Sequence, residues 1–238
     1  MVGELLVLLY LFAAVVIGLG VFIRTLSWLS ETDRVMPMVS LPRGFAWGFL
    51  AVLVAMAVEG AVLYAFWGSA MAFAILALIV GPVEEGAKLI PYFVKTGESK
   101  LYRWNLTIKT ALAFGIIEGI GYFLLLFFSG NPIGAFVRLI VIAYHVVWTA
   151  IALELALTGD PVLGYLKAAL IHGLYDAPAM LLLAGAGPVA GVMAIVSLGV
   201  LMYVYRASEA SFRFAYYYAR RIIEERLKSF ESGFTSSL

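Results

Sequence analysis

The sequence predicts an all-α polytopic membrane protein: about seven transmembrane helices around a conical or bundle-like intramembrane cavity, followed by a C-terminal amphipathic helix. Three observations carry this. The 238 residues are 63% hydrophobic and only 13% charged, with a mean hydropathy of +1.00, far from the balance of a soluble domain. Apolar runs of roughly 20 residues, enough to cross a ~30 Å hydrocarbon core, recur along the chain. The loops between them alternate in basic content. A net charge of +1 gives no bulk electrostatic case for nucleic acid. The absence of cysteine excludes disulfides and thiolate ligands, which restricts any metal to histidine, carboxylate and water.

The first run, "MVGELLVLLYLFAAVVIGLGVFI", carries an acidic residue where a signal peptide would be basic and offers no convincing cleavage site, so a retained span is expected over Leu5 to Ile23. The next are Gly44 to Trp67, Ser69 to Val94, Leu106 to Ser129, Ile133 to Leu157, Val162 to Gly185 and Gly187 to Tyr205. No repeat or low-complexity linker divides them. The expected organisation is a transmembrane domain over 1–206 that holds an intramembrane site, then a cytoplasmic amphipathic tail over 207–238. In that tail Phe212, Tyr216, Ala219, Ile223, Leu227 and Phe230 fall at helical spacing, with Arg220, Arg221, Glu224 and Arg226 largely elsewhere on the wheel, as in a helix lying on an anionic leaflet.

Orientation follows from the basic residues. Arg24, Arg34 and Arg43 follow the first span, Lys95, Lys100 and Arg103 the third, and Arg206, Arg213, Arg220, Arg221, Arg226 and Lys228 the seventh, whereas the loops after the second, fourth and sixth hold none. The positive-inside rule then places the N-terminus outside a cell membrane and the C-terminus in the cytoplasm.

Charges inside the spans are the functional signal. The third span reads "LIVGPVEEGAKLIPYF", with Glu84, Glu85 and Lys88 at its middle. An ionised residue at a span centre costs roughly 2.5–3.5 kcal/mol, against the 0.3–0.6 that each large apolar residue returns, so this span needs partners. An internal ion pair at i, i+4 or i, i+3 spacing is one reading and a functional site the other. Glu84 and Glu85, Glu118 on the fourth span, His145 on the fifth and His172 on the sixth lie about ten to twelve residues from the cytoplasmic span ends, one layer roughly 15–18 Å deep, and Asp176 follows His172 by one turn. Spacing of i, i+4 places Asp176 to orient His172 and Thr149 to orient His145. Small residues and prolines flank the layer: Gly81, Pro82, Gly86, Gly115, Gly119, Gly121, Gly173 and Pro178. They suit either close packing or a bent, wet cavity.

Paired carboxylates beside histidines in a low-dielectric cavity have the ingredients for water activation. No G-x-S-x-G or cysteine supports a nucleophilic mechanism. Glu84, Glu118, His145 and His172 are candidate ligands of a divalent metal such as zinc, although H-E-x-x-H is absent.

Glu84-Glu85-Gly86-Ala87-Lys88 matches E-E-x-x-K, Phe114 to Glu118 matches F-x-x-x-E, His145 stands alone on the next span, and His172 to Asp176 matches H-x-x-x-D. That order resembles the PrsW family of intramembrane proteases, relatives of the type II CAAX prenyl endopeptidases and of the scaffold subunit of gamma-secretase. The resemblance implies peptide-bond hydrolysis with Glu84 activating water. Glu85, or Lys88 through it, would organise the cavity. His145 and His172 would hold the water or stabilise the oxyanion, and Asp176 would orient His172. Glu118 stands where CAAX endopeptidases have a histidine, which argues against prenylated substrates and for membrane-anchored regulators such as anti-sigma factors. The resemblance leaves metal dependence open. A non-catalytic membrane scaffold is the alternative, and a proton-coupled transporter or channel comes third because the outer halves of the spans are nearly all apolar. Glu59, Glu154 and Arg138 fall outside the site on this reading, as snorkelling or paired residues, with an Arg138 to Glu59 pair conceivable.

Overall fold

The computed structural model describes residues 2–235, with side chains through residue 230. Among these residues there are seven helices, each long and apolar enough to cross a membrane: α1 (Val2–Asp33), α2 (Leu41–Ala65), α3 (Ala70–Val94), α4 (Lys100–Phe128), α5 (Pro132–Thr158), α6 (Pro161–Leu183) and α7 (Gly187–Thr235). Local chemistry punctuates them. Ser69, Ser99, Asn131 and Asp160 accept backbone N–H groups at the starts of α3, α4, α5 and α6, and Pro132 and Pro161 open α5 and α6, where a missing N–H costs nothing. Glycines with positive φ, at 68, 130, 159 and 185, turn the chain between helices.

Seven crossings put the α1–α2, α3–α4 and α5–α6 loops and the end of α7 on one side, here the tail side, and the other loops on the far side. α5 is the most enclosed helix: every residue from Ala143 to Leu153 is buried, among α1, α4, α6 and α7. α1 pairs with α7 and α3 with α6, while α2 rests at the edge against α3 and α4. Outward faces are rich in exposed leucine, valine, isoleucine and phenylalanine, as lipid contact requires.

Three helices outrun the expected spans, each for a packing reason. α1 continues ten residues past Ile23, with Thr25 and Thr32 buried and Trp28 edge-on to Tyr216. α4 begins at Lys100 instead of Leu106, because Ser99 caps it and Asn105 reaches back to Asp33 Oδ1 at 3.0 Å and to the Pro37 carbonyl at 2.9 Å. α7 passes through Arg206 without a break, since Phe212, Ala215 and Ala219 pack on the bundle and Phe212 meets Trp104 edge-on at 6.1 Å. Only beyond Ala219 is the tail largely exposed, with Ile223, Leu227 and Phe230 uncovered and Arg221 paired to Glu225 at 2.8 Å.

Close helix contacts position the site. A Cβ on Gly81 of α3 would collide with the Ala169 carbonyl oxygen and lie 2.6 Å from the Gly173 nitrogen, so α3 meets α6 backbone to backbone one turn before the glutamates. Pro178 removes the N–H that would serve the Leu174 carbonyl, and Ser197 of α7 donates to that carbonyl instead. Replacing Gly81→Ala should lower the thermal midpoint in detergent, with an overpacking cost of roughly 1–3 kcal/mol. Gly60→Ala, where nothing lies within 4 Å of the added methyl, should leave it unchanged or slightly raised.

Candidate functional site

The layer assembles around a buried ammonium. Lys88, wholly buried, lies with its Nζ 2.6 Å from Glu85 Oε1, 3.1 Å from His145 Nδ1 and 3.7 Å from Glu84 Oε2. The rings of Phe114 and Trp148 flank it at 4.8 and 5.6 Å. An ammonium only donates, so His145 Nδ1 accepts and its Nε2 carries the proton. That Nε2 lies 2.6 Å from Glu118 Oε2, a close polar contact in which the N–H does not point straight at the oxygen. Glu118 is held from its other oxygen by Arg138 Nη2 at 2.9 Å, and the guanidinium stacks on Tyr122 with its carbon 4.0 Å from the ring centroid.

Glu85 is saturated: it accepts from Lys88, from His172 Nδ1 at 2.9 Å and from Thr149 Oγ1 at 3.1 Å. His172 places its second nitrogen 3.0 Å from Asp176 Oδ2 and lies flat on Trp148, with ring centroids 3.8 Å apart. Both ring nitrogens therefore face carboxylates, an arrangement in which both donate when the ring is doubly protonated.

Glu84 differs from its neighbour. Its Oε2 is buried and has no hydrogen-bond partner among the described residues. Three nitrogens surround that oxygen, His145 Nδ1 at 3.5 Å, Lys88 Nζ at 3.7 Å and His172 Nε2 at 3.8 Å, all too distant for a direct hydrogen bond. Polar contacts at that range are bridged by water where space allows. The cluster as a whole sets the carboxyls of Glu84, Glu85, Glu118 and Asp176 against two strongly basic groups, Lys88 and Arg138. Protons on imidazole or carboxyl must supply the balance in a medium where net charge is costly.

The two sides of the layer are unlike. Toward the tail, Leu89, Tyr92, Trp104, Ile108, Ile151 and Leu153 are buried in the main hydrophobic core. Toward the far side lies a cavity of about 100 Å³ bordered by Glu59, Glu84, Glu118, Arg138, His172 and Asp176. A second, lipid-facing groove of about 370 Å³ between α2 and α4 shares Glu59, Glu84 and Glu118 with it.

All eight residues singled out from sequence, Glu84, Glu85, Lys88, Glu118, His145, Thr149, His172 and Asp176, come together, but two expected pairings do not form. Thr149 does not orient His145; its hydroxyl donates to Glu85, and Lys88 and Glu118 fix the imidazole. Arg138 does not pair with Glu59; it belongs to the site through Glu118, while Glu59 has no ion pair or hydrogen bond among the described residues. Arg138 is two helical turns before His145, a spacing that already placed both on one face of α5. Glu154, by contrast, is tied to Ser211 of α7 at 2.8 Å, away from the layer.

Glu84, His145 and His172 each offer a ligand atom within 4.8 Å of the others, and two imidazoles with a carboxylate are a donor set that suits zinc. The Lys88 ammonium, on the His145 nitrogen that faces Glu84, opposes a second cation there. The fold and site define a seven-helix polytopic membrane protein with a buried glutamate–histidine–histidine cluster that has the makings of a catalytic or metal site. Comparison with family models, curated proteins and solved structures finds no match.

Removing one member of the partly buried Arg138–Glu118 pair strands the other. Arg138→Met should cost roughly 1–3 kcal/mol of stability, below the full penalty of a wholly buried pair, and adding Glu118→Leu should recover part of it. Thermal unfolding of the single and double variants in detergent measures this coupling.

Proposed function

We propose that the chain is an intramembrane endopeptidase that hydrolyses peptide bonds of membrane-anchored proteins with a water held on Glu84. The observation that carries this is the buried, unpartnered Glu84 Oε2, ringed by three nitrogens at 3.5–3.8 Å, on a residue that borders a cavity deep in the bundle. The order of the E-E-x-x-K, F-x-x-x-E, His and H-x-x-x-D motifs, which resembles the PrsW family, supports the same chemistry.

Glu84 takes a proton from the water as the water oxygen bonds to the carbonyl carbon of the scissile peptide, and the carbonyl electron pair moves onto its oxygen. The Nε2–H of His172, 3.0 Å from Asp176 Oδ2 and on the side of the ring that faces Glu84, is shared between Asp176 and that oxyanion, while Glu85 on Nδ1 and the Trp148 face hold the ring. Collapse breaks the C–N bond, and the Glu84 carboxyl returns its proton to the departing amine. Lys88 and Glu118 fix the His145 ring beside Glu84, with Nδ1 3.5 Å from Glu84 Oε2. If a divalent metal binds, Glu84, His145 and His172 would hold it, and it would supply Lewis acidity to the water. With the basic loops inside, the cavity faces the outer half of the membrane, so cleavage would fall in the outer part of a substrate's membrane segment or just beyond it.

The test is cleavage of a panel of single-span membrane proteins in proteoliposomes. Glu84→Gln and His172→Ala, with thermal midpoints showing them folded, should each lower the rate by roughly 10²–10⁴-fold, and a chelator should leave the wild-type rate unchanged. Wild-type cleavage rates from folded Glu84→Gln would overturn the reading. A wild type that cleaves nothing while a partner co-purifies with every variant would favour the scaffold.

A further inference from the structure

The mechanism leaves Glu59 unused. It lies in the far half of α2, borders both the cavity and the groove, and has no hydrogen-bond or ion-pair partner among the described residues. A carboxylate at that depth is costly without a partner. Arg138, which borders the same cavity, is committed to Glu118.

The groove itself has a direction. At the tail end α2 and α4 touch: a Cβ on Gly48 would collide with the Ala113 side chain and lie 2.9 Å from the Phe114 nitrogen. Toward the far side they part, with open space beside Gly121, and Val52, Ala55 and Met56 face Ile117 and Leu125 across the gap. Met56 and Leu125 are 64% and 62% exposed, so the mouth opens to lipid, and the inner end reaches Glu84 and Glu118. Apolar walls suit a membrane segment. The carboxylates at depth suit the N–H donors of a segment that unwinds for cleavage, because backbone groups freed inside a bilayer need new partners. A lipid chain would fill the walls but leave Glu59 unmatched.

We infer that the α2–α4 groove is the lateral entry for the substrate's membrane segment, and that Glu59 selects segments carrying a lysine or arginine near the cleavage site. This rests on the endopeptidase reading above, and it makes Glu59 a specificity residue that none of the four motifs contains.

Because the chain has no cysteine, Met56→Cys gives a unique attachment point for a benzophenone label at the groove mouth, with Leu8→Cys on the lipid face of α1 as control. In the full chain carrying Glu84→Gln, labelled protein is reconstituted with one of three single-span Leu/Ala peptides. These differ at one position in the outer third: Lys, Leu or Glu. On illumination the Lys peptide should give roughly tenfold more adduct at position 56 than the Leu peptide, and the preference should vanish in Glu59→Gln of unchanged thermal midpoint. Equal adducts from all three peptides, a lysine preference that survives Glu59→Gln, or no more adduct at position 56 than at position 8 would each overturn the inference. Cleavage by the unlabelled wild type without groove capture would sink the groove and spare the protease. Glu59-dependent capture without any cleavage would do the reverse.

Discussion

The architecture depends on a buried ammonium. Taking an ion out of water costs several kcal/mol even after the protein relaxes, and Lys88 offsets this with Glu85 at 2.6 Å and His145 at 3.1 Å. Those two contacts decide much else. Glu85 goes on to bind His172 and Thr149, so α3 is tied to α5 and α6 through one carboxylate. His145, fixed in one tautomer by the lysine, turns its N–H to Glu118 and so draws in α4 and Arg138. Six charged or titratable side chains, Lys88, Glu85, His145, His172, Glu118 and Arg138, become a single network because one cation cannot be left alone.

The network also explains why adjacent glutamates have different fates. Glu85 accepts from three donors, whereas Glu84 is left with an oxygen that has no hydrogen-bond partner among the described residues. Packing reinforces the difference. Trp104, Ile108 and Ile151 seal the tail side, while Arg138, Asp176 and Glu59 border open space on the far side. The site is thus packed on its tail side and open on the far side, toward the cavity and the lipid-facing groove.

Much of this was legible in the sequence, for identifiable reasons. Seven helices follow from run length alone, and the shared depth of Glu84, Glu118, His145 and His172 follows from counting along spans, since helical rise is constant. The His172–Asp176 contact is local and follows from i, i+4 spacing. What escaped depended on distances between helices. Thr149 has the right spacing for His145, yet the neighbouring helix offers its hydroxyl a buried carboxylate, which wins. Arg138 looked peripheral because its depth was judged from the span end, whereas a long guanidinium reaches inward to Glu118. Glu59 borders the cavity because α2 and α4 part beyond Gly48, a separation between helices that spacing along one span does not encode. The extension of α1 past Ile23 and the unbroken run of α7 into the expected tail helix were hidden because tertiary packing of Trp28 and Phe212 overrides polar composition.

The most direct measurement is an experimental density map of the cluster, with anomalous diffraction recorded on both sides of the zinc absorption edge. The account predicts a single water about 2.7–3.0 Å from Glu84 Oε2 and within hydrogen-bond reach of His172, with Lys88 in place and no anomalous signal. An anomalous peak bound by Glu84, His145 and His172 would contradict it, as would a dry cluster in which Glu84 closes directly onto a histidine.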